Sequence, residues 1–297
     1  MKVLVTGANG FIGRALCADL AKRGHDVVPV TRKEVGGEID GHTKWDGLLD
    51  GVDVVIHLAA HVHVLDRAAS RDLAEFRRVN VGGTEALARA ARLARVKRFV
   101  FLSTVAVLGT NSGDRAFTEE DPLRPETAYG TSKAEAELRL HDFEPMQWTI
   151  LRAPLVYGPG VEAKFLQLLG IVRRGLPLPF GSIESRRSMM YAANLTDALI
   201  VAAESPEAAN DTFLVADDEA FSTADLVRAL AASMDRKALM LPVPRFLLSF
   251  AGQRLAPLIT PLVVDNRKFK ERTGWRPPFP AAVGLRETVQ WYLSSRA

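Results

Sequence analysis

The chain has 297 residues, 47% hydrophobic and 25% charged, enough apolar material for one large domain or two lobes around a shared site. The formal net charge is only +3, with acids and bases interspersed, so no continuous nucleic-acid-binding surface is expected. The single cysteine, Cys17, excludes a disulfide within the chain and fits a reducing cytoplasm, and its helical setting predicts a packing role.

Met1 leads straight into a β-branched run, without the basic segment, apolar stretch and small-residue cleavage site of a secretory leader, so a cytoplasmic protein is expected. The run ends in Thr6-Gly7-Ala8-Asn9-Gly10-Phe11-Ile12-Gly13, and an Ala- and Leu-rich helical pattern follows to Leu20. In this G-x-x-G-x-x-G spacing Gly7 permits a tight turn, Gly10 lets the backbone approach a pyrophosphate, and Gly13 lets the helix pack on the sheet. The helix N-terminus adds free amides and a positive dipole end, so a dinucleotide is the expected ligand.

Residues 27–31 read as the second strand, followed by Thr31-Arg32-Lys33 where NAD-binding chains commonly place an acid for the ribose diol. Arg32, with Lys33 beside it, can pair with a 2′-phosphate, which favours NADP(H). NAD(H) stays open, since Arg32 can instead stack on adenine or face solvent. Asp46, in Lys44-Trp45-Asp46-Gly47, is expected just after a third strand, either accepting from the adenine amino group or serving as a turn carboxylate.

Further β-branched runs at 54–58, 98–103 and 148–152 alternate with helical patterns. They predict an α/β class, a doubly wound parallel Rossmann sheet with a smaller C-terminal lobe. The expected division is a dinucleotide-binding domain over 1–155 and a mainly substrate-binding lobe over 156–297, with a strand near 212–216 returning to the main sheet. Residues 238–264 are rich in Leu, Phe and Val, but Arg245, Arg254 and several prolines interrupt them well short of a membrane span. Core helices are expected there, and a docking face for a membrane-bound partner is the secondary reading.

Tyr129 and Lys133, in Tyr129-Gly130-Thr131-Ser132-Lys133, sit four apart where a helix should begin, so their side chains share a face. Alone, the spacing is most often that of a surface helix turn. Beside a dinucleotide loop it suggests acid–base chemistry: a phenol with a pKa near ~10 needs help to ionise, and an ammonium ~4 Å away is worth roughly 4 kcal/mol, or ~3 pKa units. That would bring Tyr129 to about neutrality.

With these motifs the chain resembles the extended short-chain dehydrogenases/reductases, in particular the nucleotide-sugar 4-epimerase and 4-ketoreductase branch. The likeness runs nearly the whole length: the glycine loop, His57-Leu58-Ala59-Ala60, Asn80 in Val79-Asn80-Val81-Gly82-Gly83-Thr84, Ser103-Thr104, Tyr129 with Lys133, and 152–160, Arg-Ala-Pro-Leu-Val-Tyr-Gly-Pro-Gly. It implies Thr104 as the catalytic hydroxyl, Tyr129 as the acid–base, Lys133 on the nicotinamide ribose, and Asn80 as a helix-kinking, network-forming residue. The implied cofactor contacts are Gly7, Asn9, Gly10, Phe11, Ile12, Gly13, Arg32, Asp46, Leu58, Ala59, Ala60, Tyr129, Lys133 and Pro154. On the substrate side, Pro177-Leu178-Pro179-Phe180-Gly181 would lie along a uracil and Arg187 would clamp a pyrophosphate, with neighbouring Arg186 as the alternative. Lys164 stands where many relatives carry asparagine beside the phosphates. A UDP-sugar substrate follows, with Thr104 and Tyr129 at the sugar.

The shared chemistry of that branch is hydride transfer between nicotinamide and the sugar C4, with Tyr129 exchanging a proton with the C4 oxygen and Thr104 holding it. The similar 4,6-dehydratases carry an Asp-Glu pair after the threonine, whereas Val105 and Ala106 stand here, which excludes dehydration. Thr31-Arg32 in place of the acid tilts the reading toward an NADPH-using reductase. The pattern resembles the branch that reduces UDP-4-keto-6-deoxy-N-acetylglucosamine for surface (lipopolysaccharide) polysaccharide, and Leu262, aligned with a bulky gating residue of epimerases for unacetylated sugars, leaves room for an N-acetyl group. A 4-epimerase with retained NAD is the alternative, followed by a steroid or dihydroflavonol-type reductase and a non-catalytic NADP-binding sensor. His61 and His63 form a His-x-His without an accompanying carboxylate or cysteine cluster, so no metal is expected. The resemblance also implies a possible homodimer.

Overall fold

The computed structural model describes residues 1–62, 72–244 and 256–295. Its main sheet has six strands in the order β2-β1-β3-β4-β5-β8: β1 (Lys2–Thr6), β2 (Asp26–Val30), β3 (Val54–His57), β4 (Arg98–Thr104), β5 (Gln147–Ala153) and β8 (Asp211–Leu214). All five pairings are parallel, so the strands need crossover helices, and these cover both faces.

The inner strands β1 and β3 read as apolar runs because both of their faces are buried. Val3 and Val5 of β1 join one core with Leu16 and Leu20 of α1 (Phe11–Lys22) and Leu195 and Leu199 of α6 (Ala192–Glu204). Leu4, between them, joins the opposite core with Leu87 of α3 (Gly83–Leu93) and Ala136 and Leu140 of α4 (Ala128–Leu140). This is the period of two expected of a strand. Cys17 packs against the first core, where burial pushes its thiol up.

The expected third strand before Asp46 does not form. Residues 31–53 hold no strand. Gly36, Gly47 and Gly51 turn the chain at positive φ, while Ile39, Trp45, Leu49 and Val52 plug the side of the core instead. The run at Val54–His57 therefore pairs directly with β1.

After β5 the chain crosses at Pro154 into a three-stranded sheet of order β6-β7-β9, comprising β6 (Leu155–Tyr157), β7 (Arg186–Tyr191) and β9 (Ala220–Ser222). Helices α5 (Ala163–Arg174), α7 (Thr223–Ser233) and Ala281–Ser294 share a core with it around Phe165, Leu169, Leu230 and Val289. Between β7 and β9 the chain returns to the main sheet as β8, slightly earlier than the expected 212–216. Among the described residues no helix is long and apolar enough to cross a membrane. Arg245 and Arg254 lie outside the described residues.

Parallel strands end at one edge. Thr6 is in register with Val30 and His57, His57 with Phe101, and Thr104 with Ala153. The segments that follow, namely the glycine loop, 58–60, the turn after Thr104, and Pro154, thus emerge side by side, where ligands of doubly wound sheets bind.

Candidate active site

That edge opens on a cleft of about 1210 Å³ between the two sheets. One side is the glycine loop with Gly7, Gly10, Phe11, Ile12 and Gly13, flanked by Leu58, Ala60 and Pro154. Gly7 adopts φ 69°, and a Cβ there would lie 3.0 Å from the Ala59 amide, so the loop and residues 58–60 meet backbone to backbone. The first turn of α1 has Gly10 as its cap, no side-chain cap and no acidic residue, which leaves its amides for an anion. The donor set and the close-packed glycines fit a dinucleotide pyrophosphate. Asn9, exposed in the same loop, offers its carbonyl to Arg14.

Gly13 carries the tightest constraint: a Cβ would come 2.1 Å from the Gly7 carbonyl oxygen and 2.8 Å from Ala8 Cα. Gly13→Ala must push the helix off the loop, so saturable dinucleotide binding, followed by fluorescence titration, is expected to be lost.

Thr104 and Tyr129 both line this cleft. Thr104 ends β4 and its Oγ1 accepts from Ala106 N at 3.2 Å, which leaves its own hydroxyl proton free to donate. Tyr129 lies in the first turn of α4, which is capped by Thr127, whose side chain accepts from Gly130 N at 3.0 Å. A Cβ at Gly130 would meet the Ala106 carbonyl at 2.6 Å. The glycine after Tyr129 is what lets the helix close on the turn that carries Thr104. The half-buried Tyr129 hydroxyl has no hydrogen-bond partner among the described residues.

The expected near-neutral tyrosine is not what the side chains produce. Burial pushes the Tyr129 phenol up to about 12 and the Lys133 ammonium down to about 7, the latter opposed by the Glu137 carboxylate. Lys133 is 2% exposed and its Nζ lies 3.6 Å from the centroid of the Phe101 ring, outside the cleft lining. Desolvation outweighs the mutual attraction estimated from spacing alone.

Behind these groups stands a network that the motifs did not disclose. Glu137, one turn after Lys133, accepts from Arg152 Nη2 at 2.7 Å, from Arg152 Nε at 3.2 Å and from the Ser103 hydroxyl. All three residues are buried. The signal was present: Tyr129, Lys133 and Glu137 repeat at i, i+4, i+8, and an acid on the buried face of a helix needs a cation.

Asn80 lies in a π-helical turn, Arg77–Gly82, between α2 (Leu73–Phe76) and α3. Its Oδ1 accepts from His61 N at 2.7 Å, and its Nδ2 donates to His61 O at 3.0 Å and Ser132 Oγ at 2.9 Å. Ser132 Oγ in turn donates to the Tyr129 carbonyl at 2.9 Å.

On the far wall, Arg187 and Leu262 line the same cleft. Arg187 Nη1 donates to the Thr260 carbonyl at 2.8 Å, burial pushes its pKa down, and no described carboxylate pairs with it. Arg186 instead turns outward and donates to the Ala220 carbonyl. Other expected contacts are not brought to this cleft. Phe180 is 4% exposed and fills a small apolar cluster with Ile183 and Ile259, so its ring is spent on packing. Lys164 is exposed at the start of α5.

Arg32 is exposed over 78% of its side chain and approaches Glu38 at 3.5 Å. The strand end is not free of acid after all: Glu34 accepts from Thr31 N at 2.7 Å and Thr31 Oγ1 at 2.5 Å. Asp46 lies on the wall of a separate hollow with Arg89 and Leu93. The ring of His61 packs edge-on against Phe76, and His63 lies outside the described residues. Among the described residues no three His, Cys, Asp or Glu gather as a metal site.

Residues 3–216 match the NAD dependent epimerase/dehydratase family. A UDP-glucose 4-epimerase of Vibrio cholerae is 36% identical over 314 residues, covering 99% of this chain and 96% of the relative. A 3 beta-hydroxysteroid dehydrogenase/Delta 5-->4-isomerase of Mycobacterium tuberculosis is 28% identical, over 99% of this chain and 90% of the relative. Among solved structures, MoeE5 in complex with UDP-glucose and NAD matches with a TM-score of 0.82 at 25% identity, covering 100% of both chains.

Proposed function

Since the chain belongs to the NAD-dependent epimerase/dehydratase family, we propose that it moves hydride at C4 of a UDP-sugar, as a 4-ketoreductase of a UDP-4-keto-6-deoxy-hexose, N-acetylated where Leu262 leaves room. The observation that carries this reading is Arg187: a largely buried guanidinium with no described carboxylate partner, in one cleft with the glycine loop, Thr104 and Tyr129. Such a cation calls for an anion. A sugar diphosphate meets that need and a sterol does not.

A bound nicotinamide dinucleotide supplies the hydride. The glycine loop amides would hold its pyrophosphate, with Phe11, Ile12, Leu58, Ala59, Ala60 and Pro154 along it and Lys133 toward its ribose. Thr104 orients the C4 oxygen by hydrogen bond and Tyr129 gives that oxygen its proton, while Asn80 holds the Tyr129 turn. Residues 1–155 carry the dinucleotide and 156–297 most of the substrate contacts. Arg32 favours NADP(H), and the reductase reading leans on it, because a reductase must exchange its cofactor at every turnover. Glu34 and Glu38 beside that strand end favour the second reading, a 4-epimerase that retains NAD, since a carboxylate accepts from a ribose diol and repels a 2′-phosphate.

The deciding experiment offers UDP-4-keto-6-deoxy-N-acetylglucosamine with NADPH, and separately with NADH, and identifies the product sugar. Consumption of reduced cofactor with a 6-deoxy product is the expected result. Interconversion of UDP-N-acetylglucosamine and its C4 epimer without cofactor consumption would select the epimerase. Arg187→Ala is expected to raise KM for the UDP-sugar by about 10- to 100-fold, and an unchanged KM would remove the diphosphate from this site.

A further inference from the structure

His57 ends β3 with both ring nitrogens engaged. Nδ1 lies 2.6 Å from Thr6 Oγ1 and Nε2 lies 3.1 Å from Thr84 Oγ1. Thr6, His57, Thr84 and Asn80 are 0%, 1%, 0% and 2% exposed, so each polar atom must find its partner inside the protein. Counting donors fixes the direction. Thr6 Oγ1 accepts from Leu58 N and Ala59 N, each at 3.2 Å, which uses its lone pairs and leaves its proton for Nδ1. Nδ1 is therefore the acceptor and Nε2–H donates to Thr84, whose hydroxyl donates to the Asn80 carbonyl at 2.6 Å. The ring stacks on Phe101 and meets Phe99 edge-on.

We propose that His57 is a positioning residue that ties the base of the glycine loop, through Thr6, to Asn80, and through Asn80 and Ser132 to the turn carrying Tyr129. At one end the Thr6 hydroxyl fixes the 58–60 backbone against Gly7. At the other, Thr84 fixes the π-helical turn from which Asn80 reaches Ser132. Burial, and after it the nearby ammonium of Lys133, disfavours a charged imidazole and holds His57 down to about 3, so the direction of the chain is kept at neutral pH. Its kinetic consequences rest on the proposed role of Tyr129, but its tautomer and its effect on dinucleotide binding do not.

The first test is nitrogen NMR of the wild-type protein labelled in histidine. His57 is expected to show an unprotonated Nδ1 and a protonated Nε2 from about pH 5 to about pH 9, and a protonated Nδ1 would overturn the proposal. The second uses three variants. His57→Leu is expected to weaken dinucleotide binding and lower kcat, each about ten-fold. His57→Asn keeps an acceptor for Thr6 and should restore dinucleotide affinity without restoring kcat. His57→Gln keeps a donor for Thr84 and should do the reverse. Wild-type affinity and kcat in His57→Leu, whatever its melting temperature, or equal losses in all three variants, would reduce His57 to packing. Absence of turnover by the wild type on every UDP-sugar offered would count against the proposed function and leave the NMR and dinucleotide tests standing.

Discussion

Tyr129→Phe is expected to lower kcat by about 10²- to 10⁴-fold, the usual contribution of a positioned acid–base group, with dinucleotide binding retained. The substitution removes one oxygen and keeps the ring, so the edge contact with Phe76 at 6.3 Å and the Ser132 bond to the residue 129 carbonyl survive. The glycine loop is untouched. With burial holding the phenol up to about 12, its protonated form is present throughout the neutral range, as a proton donor to a carbonyl oxygen requires. The check is steady-state turnover beside a dinucleotide titration on the same preparation. Wild-type kcat in the variant would place the proton transfer on another group.

The largest loss of stability is expected from Glu137→Ala. Glu137 and Arg152 expose only 4% and 8% of their side chains at the 2.7 Å contact, and removing one partner strands the other as a buried, uncompensated charge. Such a change costs about 3–5 kcal/mol, readable as a fall in the urea midpoint. Removing both, as in Glu137→Leu with Arg152→Met, should recover most of that loss, because the penalty belongs to the unpaired charge. The single variant also removes the carboxylate that opposes the fall of Lys133, so its lysine should be neutral in a larger share of molecules at neutral pH. A Glu137→Ala protein as stable as wild type would mean that water reaches Arg152.

The parts of the fold that repeat a local physical rule were legible in the sequence. The glycine loop, the alternating apolar runs and the Tyr129–Lys133 spacing each reflect geometry within a few residues, and the chain places the loop, Thr104 and Tyr129 around one cleft. Arg187 and Arg186, indistinguishable by type, are separated by strand alternation: one side chain enters the cleft and the other leaves it. What the sequence hid depends on partners far along the chain. The strand expected before Asp46 is absent because its apolar residues are drawn sideways into the core. Phe180 is an apolar ring in a turn, and only the fold shows that Ile183 and Ile259 claim it. Tyr129 departs from the expected near-neutral phenol because spacing conveys attraction but not desolvation. The contacts of His57 were equally hidden, since the two hydroxyls its ring nitrogens meet lie 51 residues upstream and 27 downstream.

The crossing at Pro154 limits how the cleft can breathe. The chain leaves the main sheet between β5 and β6, which are separated by that one residue, and comes back as α6 and then β8, the latter hydrogen-bonded beside β5. Proline cannot rotate about its N–Cα bond, so this first joint is stiff. Further crossings follow between β7 and α6, which packs on the main sheet, and between β8 and β9, so the second sheet is laced to the first at several points. Any widening of the mouth to admit a ligand must then strain all of these joints together.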